Sequence, residues 1–178
     1  MNNENRKIIF LFPLLIYLIS ALVGCTSSQE RRILVVHSYE ETYTAYPEFN
    51  RLIAKQFKKE GVNADIRTLY LDCESYKEET ELKRMRYLLD SVSGDWRPEV
   101  ILVNEDQATY SLLKCGDPLV KEVPVVFAGV NYPNWELLKQ YPNATGFHDK
   151  IGFVQNAEMA RKLFGDSVRL FTLLDSTF

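Results

Sequence analysis

The chain has 178 residues, 46% of them hydrophobic and 25% charged, with a net charge of -3 at pH 7. That length suits one ordinary domain or a little more, and that composition excludes a disordered chain. Lys and Arg are scattered without a basic stripe, so nucleic acid is not an expected partner.

The first 25 residues stand apart. Arg6 and Lys7 precede the run "IIFLFPLLIYLISALVG", which is apolar apart from Tyr17 and Ser20 and leads to Cys25. This reads as a secretion signal. Leu22-Val23-Gly24-Cys25 also looks like a bacterial lipobox, where the chain is cut before a cysteine that then carries the lipid. The alternative is an uncleaved membrane anchor, since the apolar run is just short of the ~20 residues of a spanning helix. Both readings leave residues 31 onward outside the cytoplasm and membrane-attached. Residues 26–32, "TSSQERR", read as a tether.

From there strands and helices alternate. "ILVV" at 33–36 is a short apolar run of the kind buried on both faces of a sheet. Residues 47–60 follow as a helix, with Pro47 in its first turn, Phe49, Leu52, Ile53 and Phe57 on one face, and Gly61 past its end. "DIRTLYL" at 65–71 predicts a strand, and 77–92 a helix with Leu82, Met85, Leu89 and Val92 as its inner stripe. "EVILV" at 99–103 predicts a third strand, 107–114 a short helix with Asp106 as its N-cap, and "VPVVFAGV" at 123–130 a fourth strand. The pattern loosens through 131–152, with a short helix near 135–140. Residues 153–164 return to helix with Phe153, Ala157, Ala160 and Leu163 on one face, and "VRLFTLLDST" at 168–177 predicts a fifth strand. The chain stops at Phe178, where a further helix is expected.

Such alternation predicts an α/β fold, a parallel sheet with helices on both faces. Ligands of these sheets bind outside the carboxyl ends of the strands. Those ends read His37-Ser38-Tyr39, Asp72-Cys73-Glu74, Asn104-Glu105-Asp106, Gly129-Val130-Asn131 and Asp175-Ser176-Thr177. Each supplies donors or acceptors, although polar residues at strand ends also serve as ordinary caps and turns. Tyr39, Tyr43 and Tyr46 cluster after the first strand, and Tyr132 and Trp135 follow the fourth; such rings line clefts or pack under loops.

Catalytic and metal motifs do not assemble. His37 and His148 are the only histidines, and Ser38 adjoins His37 on a strand, where neighbours point to opposite faces. There is no G-x-S-x-G elbow, P-loop or G-x-G-x-x-G. No enzyme activity, metal or cofactor is expected of this chain. Cys73 and Cys115 match no metal spacing and read as two separately buried thiols, with a disulfide as the alternative.

Taken in order, "RILVVHSYEETYTAYPEF", "PEVILVNEDQATYSLL", "VPVVFAGVN", "ATGF" and "VRLFTLLDST" resemble the periplasmic binding protein type 1-like family of ABC-transporter substrate-binding proteins. The form they resemble most is the extracytoplasmic sensor of bacterial histidine kinases. The resemblance implies two α/β lobes with a ligand between them: a first lobe at 33–145 and the start of a second at 146–178. It places Ser38, Tyr39, Asn104, Asp106, Gly129 and Asn131 in the cleft of the first lobe, with Asp175 and Ser176 opening the contribution of the second. It implies a small polar ligand and a kinase or transporter as partner, with kinase chemistry outside this chain. A freestanding transporter lipoprotein is the close variant, and a secreted α/β hydrolase the rival from another class.

Overall fold

The structure, a computed structural model, describes residues 29–150, 152–165, 169 and 171. The signal segment, Cys25, most of the expected strand at 168–177, and Asp175 and Ser176 lie outside these residues.

Five parallel strands form one sheet in the order β2-β1-β3-β4-β5. They are β1 Arg31–His37, β2 Ala64–Tyr70, β3 Val100–Asn104, β4 Val125–Val130 and β5 Ala144–His148. The helices are α1 Tyr46–Lys59, α2 Glu78–Ser93, α3 Asp106–Lys114, α4 Leu119–Glu122, α5 Trp135–Leu138 and α6 Phe153–Phe164. The expected parallel α/β architecture is present. β1 is central because its run of Ile33, Leu34, Val35 and Val36 offers both faces to the interior, and all four are buried.

One face of the sheet carries the main core. Leu34, Val36, Ile101, Val103, Val125 and Phe127 pack there with Met85 and Leu89 of α2 and Leu112 and Leu113 of α3. Each fully buried side chain of this size contributes about 1.5–3 kcal/mol. The inner stripe of α2 runs Glu81-Met85-Leu89, so a buried carboxylate stands beside the expected apolar positions. On the opposite face α1 lays Tyr46, Phe49, Asn50 and Ile53 inward, while Leu52 is 48% exposed. Beside α1 an apolar hollow of about 130 Å³ opens over Leu102, Val126 and Ala128.

Three expectations change. "ATGFH" is a strand, β5, parallel to β4, so the expected lobe boundary at 145/146 falls inside a strand of the first sheet. Gly146 permits this pairing, since a Cβ there would be driven into the carbonyl oxygen of Phe127. β1 begins at Arg31, inside the expected tether, because Arg31 and Arg32 already pair with Ala64 and Asp65. The apolar face of α6 is not buried: Phe153 is 54% and Leu163 67% exposed.

Candidate functional site

The strand order places a topological switch point between β1 and β3: the chain leaves β1 for β2 on one side, then returns past it to β3 on the other. In open parallel sheets a crevice forms at such a point, because the loops leaving the two strands turn away from each other. Here those loops are 38–45 and Glu105. The registers line up Tyr70, His37, Asn104 and Ala128 across the carboxyl edge.

His37 lies beneath the crevice, fully buried. Its ring stacks on Tyr46 at 3.9 Å between centroids and packs near Phe49 and Tyr70. Its Nε2 meets Asn50 Oδ1 at 2.8 Å, and Asn50 Nδ2 donates to the Tyr70 hydroxyl at 3.1 Å. Since an amide oxygen only accepts, Nε2 carries the proton and donates. Burial lowers the pKa of His37, with the Asn50 hydrogen bond opposing, so the ring is neutral at pH 7. His37 is a floor, aligned by its neighbours.

Ser38 is also fully buried. Its hydroxyl donates to the Asn104 carbonyl at 3.0 Å and accepts the Ala108 N–H at 2.9 Å. Ala108 is the third residue of α3, so Ser38 satisfies from the neighbouring strand an N–H that a local cap would otherwise take. The expected N-cap Asp106 does something else. It is the first residue of the helix, and its carboxylate accepts from the Asn131 N–H at 3.0 Å, Asn131 Nδ2 at 3.1 Å and the Tyr132 N–H at 3.2 Å. Asp106 therefore ties the loop after β4 to α3.

Above this floor stand three tyrosines. Tyr39 and Tyr43 have ring centroids 4.8 Å apart, and Tyr43 and Tyr46 4.9 Å. The buried Tyr46 hydroxyl accepts the Tyr39 N–H at 3.0 Å and donates to Glu105 Oε2 at 3.3 Å. Burial, with the Glu105 charge adding to it, pushes the Tyr39 hydroxyl pKa up to about 12.

Glu105 sits where these groups meet, with φ 74° and ψ 170°. Among the described residues no other side-chain-bearing residue has positive φ. That region belongs essentially to glycine, and a residue held there costs about 1–3 kcal/mol. Burial raises its carboxyl pKa, with the Tyr46 hydrogen bond opposing. On its other side lies Gly129, at φ +69°, where a Cβ would stand 3.5 Å from Asn104 Oδ1 and from Glu105 Cγ. The β4–β5 register shifts between Phe127 and Val130, a local irregularity that re-aims the end of β4.

Of the residues expected in a cleft, Ser38, Tyr39, Asn104, Asp106, Gly129 and Asn131 thus gather at one edge, while Asp175 and Ser176 lie outside the described residues. Ser38 and Asp106 have their polar atoms engaged by the protein, which makes them positioning groups. Tyr39 and Asn104 are half-buried at this edge. Sequence reasoning placed Glu105 among the polar strand ends but not among the cleft residues, because no residue pattern reveals its backbone strain. It passed over Glu81, buried on the inner stripe of α2, whose Oε1 accepts the Asp72 N–H at 3.3 Å and lies 3.6 Å from Arg84. Beyond Asp72, residues 73–79 line an open hollow of about 450 Å³ at the end of β2.

Cys73 and Cys115 are both buried and free, as two separate thiols. Among the described residues no group of three or more His, Cys, Asp and Glu is placed to hold a metal. No helix among them is long and apolar enough to cross a membrane. No protein-family model matches the sequence, and no curated protein matches it significantly.

Proposed function

We propose that this chain is an extracytoplasmic module that binds a small molecule at the carboxyl edge of its sheet, attached to the membrane through its N-terminal segment. The observation that carries the reading is Glu105, held in a glycine-only backbone conformation against Tyr46, whose ring packs with those of Tyr43 and Tyr39, at the β1/β3 switch point. Strain of that kind persists where the surrounding structure is built to present the side chain. The resemblance of the ordered motifs to sensor domains favours a signalling role, with a kinase as the partner beyond this chain. A transporter lipoprotein would use the same edge.

The test is a thermal-shift screen of metabolites on the full chain in detergent, followed by calorimetry on the hits. Tyr39→Ala and Asn104→Ala should weaken binding; loss of one neutral hydrogen bond corresponds to about 0.5–1.5 kcal/mol. Ser38→Ala should lower the melting temperature and leave the affinity of the remaining folded protein nearly unchanged. Hits whose affinity ignores Tyr39 and Asn104 would move the site elsewhere. Turnover in esterase, phosphatase and glycosidase screens, abolished by His37→Ala, would instead make the chain an enzyme.

A further inference from the structure

We propose that the ligand of this crevice carries a positively charged amine or quaternary ammonium group, seated against Tyr39 and Tyr43 with Glu105 as its counter-charge. This rests on the binding reading above and narrows it to a chemical class.

The contrast between two glutamates carries the argument. Glu81 and Glu105 are both withdrawn from water, and burial raises the proton affinity of each. Glu81 has a cation beside it, Arg84 at 3.6 Å. Glu105 forms no ion pair among the described residues; the Tyr46 and Ser38 hydroxyls are its neighbours instead. A partly buried carboxylate without a cation is relieved either by taking up a proton or by a cation that a ligand brings. The wall beside it is aromatic, and ring faces attract cations most strongly where water is excluded.

A helix N-terminus argues the other way, since α3 begins here and its end carries about half a positive charge. Asp106 already places a full negative charge in that first turn, and Glu105 adds a second. An incoming anion would meet the two carboxylates against half a charge. The surrounding loops reinforce this: Glu40 and Glu41 follow Tyr39, and Asp72 and Glu74 follow β2, with Lys77 the basic residue of those two segments. The Glu74 charge acts on Tyr39 along with that of Glu105. Summed over the edge, the field draws cations and repels anions.

The experiment is calorimetry on the full chain in neutral detergent with three matched sets. The cations are choline, putrescine, phenethylamine and tyramine. The neutral set is 3,3-dimethylbutan-1-ol and 2-phenylethanol, and the anions are 3-phenylpropanoate and succinate. Saturable binding is expected from the cationic set alone. Glu105→Gln should weaken it about tenfold or more, the effect of losing a charge-assisted contact. Tyr43→Ala, at a ring already 37% exposed, gives a second variant that should fold normally and weaken the same ligands. Binding by neutral or anionic compounds with affinity untouched by Glu105→Gln would overturn the cation assignment and leave the crevice as a site. Absence of binding from the cationic set would overturn the cation assignment, and the binding reading itself falls if the metabolite screen above also gives no hit.

Discussion

At the residue scale, Glu105 is the position where local preference and tertiary structure disagree most. A glycine would fit φ 74°, ψ 170° without strain, and an alanine would keep the strain while losing the carboxylate. Glu105→Gly should therefore be more stable than Glu105→Ala by about 1 kcal/mol, after allowing for the extra freedom glycine gives the unfolded chain. Urea unfolding of both variants checks this; equal midpoints would mean the backbone there is relaxed. His37 supplies a second prediction. Its folded pKa is lowered from 6.5, so its contribution is fully present above pH 6.5 and is lost as pH falls through the lower folded value. Wild type should lose stability below pH 6.5 relative to its value at pH 8, and His37→Gln should lack that component of the slope. Glu81 and Glu105, with raised pKa values, act oppositely: their contribution is present below their unfolded value near 4.5 and lost as pH rises through the folded one. Both proteins keep these groups, so they cancel in the difference.

At the scale of elements, β5 shows how much a strand can owe to its neighbour. "ATGFH" has no apolar run and contains a glycine, yet it pairs in parallel with β4 through Ala144, Thr145 and Gly146. Phe127 leaves no room for a side chain at position 146, with its ring atoms 2.7 Å from where a Cβ would stand. Gly146→Ala should destabilise the sheet by about 3 kcal/mol or more, at the upper end of overpacking changes, because backbone is what blocks the way. Faster hydrogen exchange at Val125–Phe127 and Ala144–His148 would accompany it. A neutral substitution would mean that β5 is not seated against Phe127. The helices divide similarly. The stripes on α1 and α2 were legible from spacing, although Leu52 turned out exposed and Glu81 buried. The stripe on α6 was legible too, but spacing says only which residues share a face and not what covers it.

At the scale of the whole molecule, the two buried thiols report on cooperativity. Cys73 follows β2 and Cys115 ends α3, and burial raises both pKa values, that of Cys73 to about 12. In a Cys25→Ala chain at pH 8 both should react slowly with iodoacetamide while the protein is folded, because the thiolate is scarce and access is closed. Their labelling should accelerate together across the urea transition. If Cys73 labelled early and alone, the hollow beside β2 would be opening separately from the core.

The sequence by itself determined the class of fold. Apolar runs of strand length alternating with amphipathic stretches can bury their faces together only as a parallel sheet with helices over it. It also marked the edge where Ser38, Tyr39, Asn104, Asp106, Gly129 and Asn131 meet, because strand ends follow from strand positions. Tertiary structure alone decided what each of these groups does there. Ser38 turned inward to cap a helix from the next strand, Asp106 bound a loop 25 residues away, and Glu105 came to rest against Tyr46 of α1. Periodicity encodes which way a side chain faces relative to its own element. The partner it meets depends on strand order and register, which arise only when distant segments pack.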